Sequence, residues 1–118
     1  MGYHNFSLQW ISWDYFGKVE FTKGKNDKNY LIKGAQKSKE NDDYIEIEGL
    51  ITPKNEKHLI FNGVINYKVH LLNDVKPCRR EGTFNFKVSG NRKYWRLQEK
   101  GNPCDNVTDY IDIYFKFD

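Results

Sequence analysis

A period of two runs through nearly every apolar stretch of this 118-residue chain, and it is sharpest between Gly82 and Glu99. There Phe84, Phe86 and Val88 alternate with Thr83, Asn85 and Lys87, and Trp95 and Leu97 alternate with Tyr94, Arg96 and Gln98. Successive side chains of a strand point to opposite faces, so each run buries one face and shows the other to water. Gly90-Asn91 lies between the runs, and a two-residue loop opening with glycine suits a primed hairpin turn, which needs positive φ. With Ser89 facing Arg92, Phe86 faces Trp95 and Phe84 faces Leu97. A slip of one residue would turn half of that apolar set to water.

The same alternation recurs along the chain. Val19 and Phe21 share a face, as do Tyr30, Ile32 and Gly34, and a turn at 23–27 separates the two runs. Ile45, Ile47 and Ile51 follow a polar loop at 38–43, with Gly49 interrupting their row. Past a turn at Pro53-Lys54-Asn55-Glu56, Leu59, Phe61, Gly63, Ile65, Tyr67, Val69 and Leu71 keep one parity. That parity predicts one long strand bent at Gly63, rather than two strands split by an Asn62-Gly63 turn too close to both ends to be useful. Loops are expected at 73–80 and 100–108, and a last strand at 110–117 turns Ile111, Ile113, Phe115 and Phe117 inward. Residues 5–16 fit a strand through Phe6, Leu8 and Trp10, or one face of a short helix through Phe6, Trp10 and Trp13; the strand is adopted. No segment sustains helical periodicity.

Seven or eight antiparallel strands joined by turns predict an all-β fold, a closed up-and-down barrel with a β-sandwich as the alternative. The long strand and its interior glycines favour the barrel. In outline, a small up-and-down barrel of this length is similar to the calycins (lipocalins, fatty-acid-binding proteins, avidins). That resemblance is one of architecture and leaves function open.

The length suits one domain, residues 1–118. At 38% hydrophobic, 16% aromatic and a mean hydropathy of −0.84, the chain suits a barrel whose strands are wet on one face. No run approaches the roughly 18 apolar residues of a membrane span. The opening Met-Gly-Tyr-His-Asn-Phe lacks the regions of a signal peptide, so a cytoplasmic protein is expected as the chain stands, or a secreted or periplasmic one whose signal has been removed. A net charge of +3 and a pI near 8.8 fall short of a dedicated nucleic-acid binder, so nucleic acid is not the expected partner. Lysines crowd positions 18–39 and acids follow at 40–48, the pattern of solvated strand edges.

Catalysis has little to draw on. Of the histidines His4, His58 and His70, none is tied by spacing to a nucleophile, and His70 is expected in water. Asp105, Asp109 and Asp112 lack the calcium-loop pattern, and two cysteines with three scattered histidines make no familiar zinc site. No phosphate-binding glycine loop appears, so no metal or cofactor is expected. Asn5-Phe6-Ser7 and Asn106-Val107-Thr108 match the glycosylation sequon and are read as chance.

Two surfaces remain. The inward face is apolar and rich in rings, and Tyr30, Tyr67, Phe86 and Trp95 are the expected lining of a pocket for a small hydrophobic ligand. A packed core is the competing reading of the same residues. The pocket is expected near Tyr67, because Tyr67 and Trp95 each carry a polar atom that is costly to bury alone. On the outward face Lys87, Arg92, Tyr94 and Arg96 set an aromatic among bases, an alternative site for nucleic acid or protein. Its bland counterpart is a salt bridge to Asp112. Finally, the hairpin register brings Cys78 close to Cys104, near enough for a disulfide in an oxidising compartment.

Overall fold

A computed structural model describes residues 2–26 and 28–117. The strands are β1 (Gly2–Leu8), β2 (Gly17–Lys23), β3 (Tyr30–Lys37), β4 (Tyr44–Asn55), β5 (His58–Lys68), β6 (Cys78–Lys87), β7 (Tyr94–Leu97) and β8 (Ile111–Tyr114). Each pairs antiparallel with the next, and β8 returns to β1, so the sheet closes into an eight-stranded up-and-down barrel. Closure leaves no edge strand to pair with another chain.

The long run is one unbroken strand. Gly63 of β5 sits opposite Gly49 of β4, and a Cβ on either would lie 2.7 Å from the partner's Cα and 2.8 Å from the Phe61 ring. The two glycines let the walls approach while Phe61 lies over both, so the space they create is occupied by that ring. Around it stand Phe84 and Phe86, with centroids 6.0 and 6.2 Å from that of Phe61. Phe6, Leu8, Ile45, Ile47, Ile51, Ile65, Ile111 and Ile113 complete an apolar interior almost without solvent exposure. An eight-stranded barrel is just wide enough for side chains to fill, and these rings and branched residues do so.

Several expectations are corrected. Phe86 pairs with Leu97 and Lys87 with Arg96, two residues out from the expected register, so Trp95 is not opposite Phe86. The turn itself forms, with Arg92 N–H donating to Ser89 O at 3.2 Å and Gly90 at φ 58°. Just beyond it Val88 N–H donates to Lys57 O at 2.9 Å and Lys93 O accepts from Phe115 N–H at 2.9 Å, so the two arms part to pair with their outer neighbours. A two-residue shift preserves parity, and the faces survive the error. β4 runs on to Asn55 and turns at Glu56-Lys57. β6 begins at Cys78, inside the segment expected to be loop. β1 ends at Leu8, leaving Trp10 in a turn, and β8 ends at Tyr114; Leu71, Phe115 and Phe117 are exposed instead of inward.

Candidate functional site

The two ends of the barrel are built differently. At one, the long connections 9–16, 69–77 and 98–110 fold over the opening. Gln36 continues the inward parity of β3 and is buried; its side-chain oxygen accepts from Leu8 N–H at 2.8 Å while its amide donates to Ser12 O and Tyr15 O, which pins the first connection down. Below this, Asp109 is wholly buried and gathers donors from four elements. Tyr67 O–H donates to Oδ2, Trp10 Nε1–H to Oδ1 at 3.1 Å and Asn102 Nδ2–H to Oδ1 at 3.3 Å, and the buried Arg80 guanidinium lies 3.8 Å away. Arg80 also donates to Glu99 O at 2.7 Å. Burial, then the hydrogen bond and charge of Asp109, push the Tyr67 phenol well above its ordinary range. Cys78 and Cys104, joined in a disulfide with Cα atoms 5.9 Å apart, fasten the third connection to β6.

Tyr67 therefore belongs to a sealed end. Its hydroxyl already has a partner, and Phe61 fills the bend that was expected to open a pocket beside it. Phe86, one residue from the end of β6, is fully buried against Phe61.

At the opposite end the connections are short: residues 24–29, 56–57 and 88–93. Inward-facing rings of four strands meet there with the ring of Phe115, just past β8. His4 of β1 lies 4.9 Å from Phe21 of β2 and 6.0 Å from Trp95 of β7, Phe21 lies 6.3 Å from Tyr30 of β3, and Trp95 lies 4.5 Å from Phe115 just past β8. Phe21 is buried, His4, Tyr30 and Trp95 are half-buried, and Phe115 is 39% exposed. Two of the rings are held by their polar atoms. Trp95 Nε1–H donates to Glu56 O at 3.0 Å, and His4 Nδ1 bonds Tyr114 O at 2.8 Å. A carbonyl can only accept, so His4 Nδ1 carries the hydrogen and Nε2 of the neutral ring is an acceptor. Of the four residues expected to line a pocket, the fold brings Tyr30 and Trp95 to this mouth, leaves Phe86 fully buried in the core and places Tyr67 at the other end. His4, Phe21 and Phe115 join them.

The outward alternative is largely self-satisfied. Arg96 makes a bidentate pair with the buried Asp112 at 2.7 and 2.8 Å, and its guanidinium lies 5.0 Å from the Tyr94 ring centroid and 4.4 Å from that of Tyr110. The hydrogen bond to Asp112 holds the Arg96 pKa above its ordinary value. Tyr94 packs on Tyr114 at 5.4 Å and its hydroxyl accepts from Arg92 at 2.8 Å; Lys87 is exposed. The three aspartates disperse: Asp105 accepts from Asn73 N–H at 2.8 Å, Asp109 lies inside, and Asp112 lies under Arg96. His70, half exposed, is tied to the buried Asp43 at 2.6 Å, a bond that links two connections at the sealed end. Of the sequons, Asn5 is 3% exposed and Asn106 is exposed. Among the described residues no group of three or more His, Cys, Asp or Glu is placed to hold a metal, and no helix is long and apolar enough to cross a membrane.

Residues 1–115 match the PM1083 family. A relative from Pasteurella multocida (strain Pm70), "Uncharacterized protein PM1083", is 43% identical over 115 residues, which is 98% of this chain and 72% of the relative. The chain belongs to the PM1083 family. No solved structure matches it. Membership of the PM1083 family names a lineage, so function has to be read from the barrel.

Proposed function

We propose that this barrel is a non-catalytic binding protein whose ligand is a small, apolar, ring-bearing molecule seated on the aromatic mouth. The observation that supports this most is the asymmetry of the ends. Where the barrel is meant to be shut, polar residues, a disulfide and long connections cover it; where His4, Phe21, Tyr30, Trp95 and Phe115 converge, only short turns stand over partly open rings. Aromatic faces offered together favour stacked or edge contacts with another ring, and water leaving them favours an apolar body. Anchoring Trp95 and His4 to backbone carbonyls lowers the entropy lost when a ligand orders them.

Titration of the native protein with a neutral pyrene alcohol, followed by pyrene fluorescence, tests the reading. Micromolar binding is expected, weakened about tenfold or more by Trp95→Ala. Trp13→Ala, which removes a ring 55% exposed at the sealed end, should leave it unchanged. Equal losses in both variants, or no saturable binding, would overturn the proposal.

A further inference from the structure

We infer that the ligand of the mouth is an anion: a ring-bearing molecule that carries a carboxylate or a similarly charged group at its solvent end. This rests on the mouth being the binding site. The turns 24–29, 56–57 and 88–93 and the strand ends beside them, 53–55 of β4 and Lys87 of β6, rim that end; in sequence these stretches hold seven cations, Lys25, Lys28, Lys54, Lys57, Lys87, Arg92 and Lys93, against two acids, Asp27 and Glu56. That surplus of five exceeds the chain's whole net charge of +3, so the remainder of the molecule is net negative by two.

The described ones are all exposed, and among the described residues none of the six lysines stands in a salt bridge; the ion pairs seen lie elsewhere, on Lys33, Arg79, Arg80, Arg96 and His70. Connections at the sealed end carry the opposite character, with Glu40, Asp42, Asp74 and Asp105. Lysines scattered for solubility would not collect on the three turns around one opening and on the strand ends beside them. A ring of one sign around low-dielectric aromatic walls raises the local concentration of the opposite charge and orients it outward while the apolar body meets the rings.

Three pyrene probes matched in size, a butyrate, a butanol and a butylammonium, separate the two claims when titrated calorimetrically at about 20 mM and about 0.5 M salt, where screening lengths differ several-fold. At low salt the carboxylate should bind about tenfold tighter than the alcohol and the ammonium weakest, with the differences collapsing at high salt. Lys54→Glu with Lys87→Glu should weaken the carboxylate and strengthen the ammonium, leaving the alcohol unmoved. If carboxylate and alcohol bind alike at low salt, the anion inference fails and the mouth stands. If no probe binds, both fail. Adhesion to anionic vesicles without binding of any single probe would reassign this end to a membrane surface and overturn the inference.

Discussion

Removing the Asp109 carboxylate should expose how the closed end is held. Asp109→Leu keeps the branched four-atom outline of the side chain but takes away the acceptor of Tyr67, Trp10 and Asn102, and leaves the Arg80 guanidinium, 8% exposed, with only the Glu99 carbonyl bonded to it. Breaking one side of a buried pair costs about 3–5 kcal/mol, because the surviving charge is stranded. Arg80→Met should cost less, about 1–3 kcal/mol, since Asp109 keeps three donors. In the double variant no stranded cation is left, so the total should fall short of the sum of the singles by about 2 kcal/mol. Urea unfolding reads this directly: with a slope near 2 kcal/mol per molar, Asp109→Leu should lower the midpoint by about 2 M. Single losses that add to within about 0.5 kcal/mol would show that Arg80 and Asp109 act independently, and the picture of one sealing network would be wrong.

Three further outcomes follow from the same structure. Replacing both Cys78 and Cys104 by alanine should cost about 3 kcal/mol, the loop entropy of a 26-residue separation, and reductant should have no effect on that variant's midpoint. Phe61→Ala should cost about 3–5 kcal/mol, and Trp95→Ala clearly less, because the Phe61 ring is fully buried and the Trp95 ring is not; equal losses in thermal melts would contradict the mouth's openness. Burial opposes ionisation of Glu99, but hydrogen bonds from the Asn85 N–H and amide outweigh it, and Asp105 is lowered by Asn73 and Asn106 N–H, so both carboxylates lie below their ordinary 4.5 and 3.8. Such groups hold fewer protons folded than unfolded in that window, so their stabilisation is complete above about pH 5 and is lost as pH falls through the folded values; Glu99→Gln should flatten the acid limb of a midpoint-against-pH curve.

Alternation in the sequence was enough to assign most faces, and with them the barrel, because a strand buried on one side has little freedom in where its apolar residues fall. It says nothing of height along the barrel axis. Tyr67 and Trp95 share the inward face yet stand at opposite ends, a separation that parity alone does not carry. Inward polar residues are equally silent: Arg80 keeps the parity of Cys78, Gly82, Phe84 and Phe86, and Gln36 that of Ile32 and Gly34, but a polar side chain breaks the apolar pattern that marks a face. Their partners, Asp109 and the connection 9–16, are distant in sequence and give no local signal. The hairpin register differs for a related reason, since Val88 and Lys93 bond to Lys57 and Phe115, residues flanking β5 and β8 that are distant in sequence and give no local signal.

If ligand enters at the aromatic mouth and nowhere else, the two ends of the barrel should respond differently to it. Two-dimensional amide NMR of the native protein, titrated with the pyrene butyrate, reads both ends at once. Saturable shifts are expected at His4, Phe21, Tyr30, Trp95 and Phe115 and in the turn at Glu56-Lys57, with Tyr67, Arg80, Asn102 and Asp109 unmoved. Shifts centred on the second group, or spread evenly over both ends, would contradict entry at the mouth alone.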